Sequence, residues 1–237
     1  MTLNEMIYHR KSCRTFTGKP VDAEMIEKIL SFELKPLYPE IKVRMDIVSR
    51  DKVMCICPWT TPQLITIYSE ESEGYLENIG FLFQQMDLYL QTLGLGVCWL
   101  GMGRMNPKTT QQVEGMKFVI MLAFGHPKGD QLRHDLKGFK RKSMEQITDK
   151  ADPRLEPARL APSAVNSQPW YFVHEGVHIH IYCVDKGHSK NGHLIDMGIM
   201  LAHLYIANAD KNQYFEFYEA GSSPYVEGYR YFGTLDL

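Results

Sequence analysis

The stretch that decides the fold, ARLAPSAVNSQPWYF, runs from Ala158 to Phe172 and begins as a helix that cannot continue. Pro162 ends the helix, because proline lacks the backbone N–H and its ring clashes with the preceding turn. Small polar residues follow before Pro169 and Trp170, and such residues favour caps and turns. The loop offers a hydroxyl, a carboxamide and several backbone N–H groups, which suit a phosphate or a flat polar ring edge. An ordinary connection from a helix to a strand is the alternative.

The composition is that of an ordinary folded protein. Of the 237 residues, 44% are hydrophobic and 23% are charged, which argues against disordered and fibrous classes. The net charge is -2 and the cations are spread along the chain, so we expect no nucleic-acid partner. No apolar run approaches the ~20 residues of a membrane span, so we expect no membrane association. The five cysteines match no disulfide framework or zinc finger, which favours a reducing compartment and a cytoplasmic protein.

Hydrophobic periodicity predicts a mixture of helices and strands. Helices are expected at 20–34, at 73–96 with Gly94 and Gly96 at its end, and at 194–210. Strands are expected at 62–69, 97–101 and 117–125, and a hairpin over 171–185 is expected to turn at Glu175 and Gly176. The segment 213–237 is expected to lack helix. Strands and helices do not alternate strictly, as they would in a doubly wound parallel sheet, so the predicted class is α+β.

Two parts of the sequence resemble each other. The string RKS occurs at 10–12 and again at 141–143, and the helix YLENIGFLFQQM matches HLIDMGIMLAHL with Gly80 opposite Gly198. A diverged internal duplication explains this order of matches, and coincidence is the alternative. The duplication predicts one domain over 1–237, made of a half at about 1–135 and a half at about 136–237. Each half lacks a motif that the other retains.

The basic segment HRKSCRTF, at 9–16, could bind a phosphate. It holds three cations and a hydroxyl within a few residues, and Arg10 and Arg14 could each clamp a phosphate through two hydrogen bonds. A solvated basic surface is the simpler explanation of a short run of charge. The same two explanations apply to Arg141, Lys142 and Ser143.

Other chemically capable residues are interpreted as structural. His178 and His180 share one face of a predicted strand, but no third ligand stands nearby in sequence, so a polar sheet face is preferred to a metal site. Cys55 and Cys57 are interpreted as core sulfur, and Cys98 as a packing residue. GLGVCW and GMGRMN both fail the G-x-G-x-x-G pattern, so we expect no separate nicotinamide-binding domain.

Four motifs together resemble the FMN-dependent nitroreductase family: HRKSCRTF, GLGVCWLG, FGHPKG and ARLAPSAVNSQPW. The resemblance covers most of the first 172 residues, and APSAVNSQPW is its most specific element. In typical members this loop follows the basic motif within a few tens of residues and reaches into the partner's flavin site in a homodimer. Here it comes after GLGVCW, so the chain resembles the subgroup in which two nitroreductase-like halves are fused. That arrangement implies one flavin site per chain, in a monomer or weak homodimer.

The resemblance implies a nitroreductase-like α+β fold and a small-molecule substrate. FMN would take a hydride from NADH or NADPH and pass it to a nitroaromatic or quinone-like acceptor, with no catalytic side chain and no metal required. The residues implied to bind FMN are Arg10, Lys11, Ser12, Arg14, Leu100, Gly101, Arg141, Lys142, Pro162, Ser163, Ala164 and Asn166. The alternatives are a flavin-binding protein of this fold, serving storage, dehalogenation or flavin cleavage, and a scaffold without enzymatic activity.

Overall fold

The computed structural model describes residues 1–55, 61, 63–108, 113–185 and 190–237. The helices are α1 (Leu3–Ile7), α2 (Ala23–Ser31), α3 (Tyr75–Thr92), α4 (Glu156–Leu160) and α5 (Lys190–Ala209). The strands are β1 (Val43–Ser49), β2 (Val53–Met54), β3 (Gln63–Ser69), β4 (Gly96–Leu100), β5 (Arg104–Met105), β6 (Lys117–Gly125), β7 (Trp170–Glu175), β8 (His178–Val184), β9 (Glu216–Tyr218) and β10 (Tyr229–Asp236). The protein is therefore a mixed helix and sheet structure, as predicted.

Two four-stranded sheets in the described part of the chain share one connectivity. The first has the order β1-β3-β6-β4 and the second the order β7-β8-β10-β9, with antiparallel neighbours throughout. If β2 and β5, which form a ribbon of their own, are set aside, each sheet runs first, second, fourth, third in chain order. A long helix joins the second strand to the third in both sheets, α3 in the first and α5 in the second.

The helices α3 and α5 cross at the centre of the molecule, and both are surrounded by apolar residues from the two sheets. One continuous buried cluster contains Ile65 and Leu122 of the first sheet and Ile179 of the second. At the crossing, Gly80 meets the backbone of Ile195 and Ile199, and Gly198 meets the backbone of Glu77 and Phe81. The contacts are reciprocal, because each glycine meets the carbonyl three residues before the other glycine.

Local sequence signals explain where most elements begin and end. Asp22 caps α2, since its Oδ1 accepts a hydrogen bond from the Met25 N–H at 2.9 Å. Gly94 follows α3 with a φ of 79°, the left-handed geometry that glycine adopts most easily. Gly96 was expected at the helix end, but it is the first residue of β4. A side chain there would meet the Cys13 side chain at 2.5 Å, so close packing explains this glycine.

The sequence prediction missed the strands β1 and β10. β1 (Val43–Ser49) is a half-buried edge strand with Arg44 and Asp46 in its centre, and those charges hide its alternation. β10 (Tyr229–Asp236) contains Gly233 at a register shift, which breaks the period of two. Each strand is positioned by pairing with its neighbour, β1 with β3 and β10 with β8, and its own sequence pattern indicates a strand only weakly.

The described helices include none that is both long enough and apolar enough to cross a membrane.

Candidate functional site

A cavity of about 520 Å³ lies where the two halves of the chain meet. The first half contributes Ser12 and Arg14, the end of β4 with the turn after it, and the beginning of β6. The second half contributes the loop 162–165 and residues of α5. Small-molecule sites in proteins commonly have volumes of ~300–1,000 Å³. The cavity is therefore large enough for a ligand with a ring system.

The basic N-terminal segment reaches the cavity because it runs beside β4. The Cys13 N–H donates to the Val97 carbonyl at 2.7 Å, and Ser12 pairs with Val97 in a parallel bridge. This pairing brings Ser12 and Arg14 to the cavity wall. Phe16 closes the segment with a second bridge, to Pro127.

Arg10 lies behind this wall, in the core. Its side chain is 1% exposed, and its Nε donates to the Asp87 Oδ1 at 3.0 Å. Its Nη2 also lies 3.4 Å from the Ser12 hydroxyl. Arg10 therefore supports the position of Ser12, while its charge is balanced by Asp87 on α3.

The loop after α4 has an unusual backbone. Val165, Asn166 and Gln168 have φ values of 49°, 58° and 45°, and non-glycine residues seldom adopt this left-handed region. Hydrogen bonds hold the loop in place. The Gln168 N–H donates to the Ser163 Oγ at 2.8 Å, and the Ala164 N–H donates to the Asp196 Oδ1 at 2.9 Å. Of these three residues Val165 lines the cavity, whereas Asn166 and Gln168 lie outside its lining.

Two arginines flank the Phe139 ring close to this loop. The guanidinium carbons of Arg133 and Arg141 lie 4.4 and 5.9 Å from the ring centroid. Arg133 donates to the carbonyls of Arg10 and Gly138, and Arg141 donates to the Leu160 carbonyl and to the Asn166 side chain.

Burial and neighbouring positive charge lower the pKa of both guanidinium groups, to about 10 for Arg133 and to about 9 for Arg141. Within the described residues no carboxylate forms an ion pair with either one. The region therefore holds excess positive charge, which favours an anion.

The structure divides the residues proposed from the sequence into two groups. Those that line the cavity are Ser12, Arg14, Gly101, Pro162, Ser163 and Ala164. The remainder lie behind the wall or at the surface: Arg10, Lys11, Leu100, Arg141, Lys142 and Asn166.

The residues behind the wall hold its parts together. Lys142 donates through Nζ to the Gln168 carbonyl at 2.9 Å, and Asn166 donates to the Lys140 carbonyl at 3.0 Å. Leu100 is a buried core residue of β4. Lys11 is exposed, and its backbone N–H donates to the Gln91 side chain at 3.0 Å.

The sequence prediction did not include Asp196, which lines the cavity from α5 and is 3% exposed. Burial raises its pKa to about 7, although the hydrogen bond from Ala164 acts in the opposite direction. Its Oδ2 is buried with no hydrogen-bond partner among the described residues. A signal was present, because Asp196 is a lone acid in the apolar run LIDMGIM.

Trp99 was also missed, and it connects the cavity wall to both long helices. Its Nε1 donates to the Gln84 Oε1 at 3.2 Å, and the Gln84 amide nitrogen lies 3.0 Å from the His203 Nε2. The His203 Nδ1 lies 3.0 Å from the Pro157 carbonyl, which can only accept, so Nδ1 carries the proton and Nε2 accepts from Gln84. Burial, with the positive charge of Arg10, lowers the pKa of His203 to about 3. His203 is therefore neutral.

The other candidates from the sequence have structural partners. His178 pairs with Asp236 at 2.8 Å, and His180 lies 2.8 Å from the Thr234 hydroxyl. Both histidines thus have polar partners on the neighbouring strand, as expected of a polar sheet face, but His180 is buried rather than solvated. Cys55 is half-buried, and Cys57 lies outside the described residues. No group of three metal-ligating side chains occurs in the described part of the chain.

This architecture is the nitroreductase fold. A crystal structure of a "putative nitroreductase" from Thermotoga maritima matches 99% of this chain and 92% of its own, with a TM-score of 0.68 and 20% identity. The family model described as "Putative TM nitroreductase" matches residues 2–208, so the chain belongs to that family. The resemblance stated from the four sequence motifs is thereby confirmed.

Shorter proteins of similar fold match part of the chain. An "FMN-dependent Nitroreductase" from Clostridium difficile covers 60% of this chain and 98% of its own, with 18% identity and a TM-score of 0.45. A "Putative NADH dehydrogenase/NAD(P)H nitroreductase" from Bacteroides thetaiotaomicron covers 57% of this chain and 94% of its own, with 20% identity and a TM-score of 0.46. No curated protein matches the chain.

Proposed function

We propose that the protein is an FMN-dependent NAD(P)H oxidoreductase of the nitroreductase type. It would pass a hydride from NADH or NADPH to the flavin and then to a nitroaromatic or quinone-like acceptor. Membership of the nitroreductase family supports oxidoreductase activity. The observation that carries the proposal is the convergence of Ser12 and Arg14 with the loop 162–165 on one cavity.

The residues of the cavity fit FMN in shape and charge. Phe118, Val119, Ile120 and Ile199 give apolar walls that suit a flat ring. Positive charge stands at the side of the cavity where Ser12 and Arg14 lie, with Arg141 behind the loop. The Oδ2 of Asp196 is a buried polar atom for which the described part of the chain supplies no hydrogen-bond partner.

In this proposal the side chains bind and orient, and none acts as a nucleophile. Ser12 and Arg14 hold the phosphate through charge-assisted hydrogen bonds, and Arg10 fixes the Ser12 hydroxyl. Arg133 and Arg141 add positive charge that favours the phosphate dianion. The strained loop presents Ser163 and Ala164 to the polar edge of the ring. Bound FMN would supply the hydride acceptor and donor.

We also propose that the chain consists of two fused, diverged halves in a single domain, at about 1–135 and 136–237. The shared sheet order and the reciprocal contacts of Gly80 and Gly198 support this history. With this history the site would need no second chain, and we expect a monomer or weak homodimer. We further infer a cytoplasmic location, since Cys13, Cys55, Cys98 and Cys183 stand as thiols.

The duplication would leave one flavin site per chain. Gly192 lines the cavity, and its counterpart 118 residues earlier is Gly74. A side chain on Gly74 would lie 2.6 Å from the Tyr38 ring, which therefore covers the corresponding position. We expect purified protein to bind one FMN per chain.

The first experiment is a flavin titration followed by a turnover assay. FMN binding is measured by quenching of its fluorescence, and oxidation of NADH and NADPH is then measured with and without a nitroaromatic or a quinone. Binding without turnover would favour a flavin-holding protein, and a protein that binds no flavin would favour a scaffold. Either result contradicts the proposed activity.

Arg14→Ala tests the phosphate contact, with Lys19→Ala as its control. Lys19 is exposed in the same segment. A hydrogen bond to a charged group contributes about 1.5–3 kcal/mol, so Arg14→Ala should raise the Kd for FMN about 10- to 150-fold. Its effect on riboflavin, which lacks the phosphate, should be small. An equal loss for both ligands would place the phosphate elsewhere.

A further inference from the structure

Asp196 differs from its counterpart in the first half of the chain. The counterpart of Asp196 is Asn78, two residues before Gly80 as Asp196 is two before Gly198. Asn78 Oδ1 accepts from the N–H groups of Leu37 and Tyr38 at 2.9 and 3.0 Å, and its Nδ2 donates to the Tyr38 carbonyl at 3.2 Å. Both polar atoms of Asn78 are therefore satisfied within the protein.

Only one of the two side-chain oxygens of Asp196 has an equivalent contact among the described residues. Its Oδ1 accepts from the Ala164 N–H at 2.9 Å, as Asn78 accepts from the corresponding loop after α2. Its Oδ2 is buried and has no partner among the described residues. Asp196, which lines the cavity, thus carries a spare oxygen, whereas Asn78, which is not among the residues that line it, is a satisfied amide. A buried polar atom without a partner is costly, so the spare oxygen points to a ligand group.

We propose that Asp196 holds a proton at Oδ2 and donates it in a hydrogen bond to the flavin in the cavity, so that flavin binding weakens as Asp196 ionises. This inference rests on the proposed function. The neutral acid can donate to an acceptor atom on the polar edge of the ring, whereas the carboxylate can only accept. Asp196 is therefore a binding residue that also positions the loop through Ala164.

The pH at which binding changes is set by the surroundings of Asp196. Burial raises its pKa to about 7 in the unliganded protein. A ligand that accepts a hydrogen bond from the protonated Oδ2 favours the neutral form of Asp196, so the affinity for that ligand is constant below the pKa and falls as the pH rises through it. Among the described residues, the charged and titratable groups around Asp196 and along the cavity are Glu77 and Tyr75 on α3, Cys98 on β4, Cys183 on β8, His193 on α5, Arg230 on β10, Arg14 and Lys117.

The test is the Kd for riboflavin between pH 6.5 and 8.5. Riboflavin lacks the phosphate of FMN, whose second ionisation near pH ~6 would raise affinity with pH and mask the effect. For the wild type we expect the Kd to rise about 15-fold between pH 7 and 8.5, since above the pKa of Asp196 one proton is taken up per binding event. FMN is titrated in parallel, and its Kd should rise less over the same range, because the ionisation of its phosphate acts in the opposite direction.

Asp196→Asn and Asp196→Ala separate the proton from the rest of the side chain. Asparagine keeps an oxygen for the Ala164 N–H and an N–H donor at the other position, so its Kd should be independent of pH and within about threefold of the wild type at pH 6.5. Alanine removes both contacts and should weaken binding at every pH. His193→Gln is the matched control, because it removes a neighbouring titratable group, and it should keep the wild-type pH dependence.

The possible results are distinguishable. A riboflavin Kd that does not change with pH in the wild type would overturn this inference and leave the proposed function intact. The same holds if Asp196→Asn retains the wild-type pH dependence, or if His193→Gln abolishes it. Absence of flavin binding at every pH would overturn the proposed function itself. Circular dichroism of each variant confirms that it is folded.

Discussion

Gly80 and Gly198 leave no room for a side chain where α3 and α5 cross. A Cβ on Gly80 would lie 2.1 Å from the Ile195 carbonyl oxygen, and a Cβ on Gly198 would lie 1.9 Å from the Glu77 carbonyl oxygen. These obstacles are backbone atoms of the opposite helix, so a rotamer change cannot relieve them. The two glycines set how closely α3 and α5 approach.

Gly198→Ala should therefore destabilise the protein by about 2–3 kcal/mol or more, because the helices must separate and lose contacts along their length. Denaturant unfolding at neutral pH measures the change. Gly221→Ala is the control, since nothing lies within 4 Å of a Cβ there, and it should alter the free energy of unfolding by less than ~0.5 kcal/mol. Equal stability of the two variants would refute the close crossing.

The ion pair of Arg10 and Asp87 should matter for stability, because both side chains are buried, 1% and 0% exposed. Arg10→Met leaves a carboxylate buried without its partner, which costs about 3–5 kcal/mol. The double variant Arg10→Met with Asp87→Leu removes both charges and should recover most of that loss.

A surface pair provides the comparison for this prediction. Arg44 and Asp46 lie 2.9 Å apart with side chains 53% and 30% exposed. Arg44→Met should cost less than ~1 kcal/mol, because water screens the pair. Denaturant unfolding measures both variants. If Arg10→Met lowers the free energy of unfolding no more than Arg44→Met does, the buried ion pair does not contribute to stability.

His203 should make the protein lose stability in acid. Its pKa is lowered from 6.5 to about 3 by burial, so the unfolded chain binds a proton between these values that the folded chain does not. The contribution of His203 is complete above pH ~6.5 and decreases as the pH falls, by about 1.4 kcal/mol per pH unit. In His203→Gln this dependence is absent, so the gap between the unfolding free energies of the two proteins should narrow from pH 6.5 to pH 4. A constant gap would show that His203 ionises normally.

When no flavin is bound, Asp196 should make the protein lose stability as the pH rises, the opposite of the effect of His203. The pKa of Asp196 is raised from 3.8 to about 7, so the folded chain binds the extra proton between these values. Stability from this group is complete below pH ~4 and is lost as the pH rises to 7. The free energy of unfolding of Asp196→Asn should therefore rise relative to that of the wild type by about 1.4 kcal/mol per pH unit between pH 4 and 7. Unfolding titrations over this range measure the difference. A difference independent of pH would mean that the acid is solvated.

Replacing Val165 by a residue that adopts the left-handed backbone region more easily should stabilise the protein. Val165 is β-branched, 99% exposed and held at φ 49° and ψ 21°. Val165→Asn should stabilise the protein by about 1 kcal/mol, because asparagine adopts the left-handed region more easily. Val177→Asn is the control: Val177 is 76% exposed and is not among the residues with positive φ. Thermal unfolding measures both variants. A loss of stability in Val165→Asn would contradict the claim that the backbone is strained at this position.

Much of the fold could be predicted from local signals. α2, α3 and α5 follow from apolar periodicity, with Asp22 as the cap of α2 and Gly94 after α3, and the hairpin of β7 and β8 follows from alternation around Gly176. The strands β1 and β10 could not be predicted, because their partners and their burial are set by residues far away in the chain. Local propensity contains no information about such partners.

The candidate site was predictable only in part, because local sequence identifies motifs but not the spatial surroundings of each residue. The motifs that contain Ser12, Arg14 and Pro162 were recognisable as strings, and these residues line the cavity. Arg10 and Arg14 could not be told apart, although one is buried against Asp87 and the other lines the wall. Asp196 was missed because a lone acid within a helix gives no indication of what surrounds it.

The sequence by itself determined the periodic elements, the proline that ends α4, and the family, since each depends on residues adjacent in the chain. The tertiary structure decided which cations face the cavity and which are neutralised in the core. It also decided that Asp196 keeps a buried oxygen without a partner among the described residues, where both polar atoms of Asn78 are hydrogen-bonded. The physical reason is that charge balance, burial and hydrogen bonding depend on distances in space, and those are fixed by the crossing of α3 and α5.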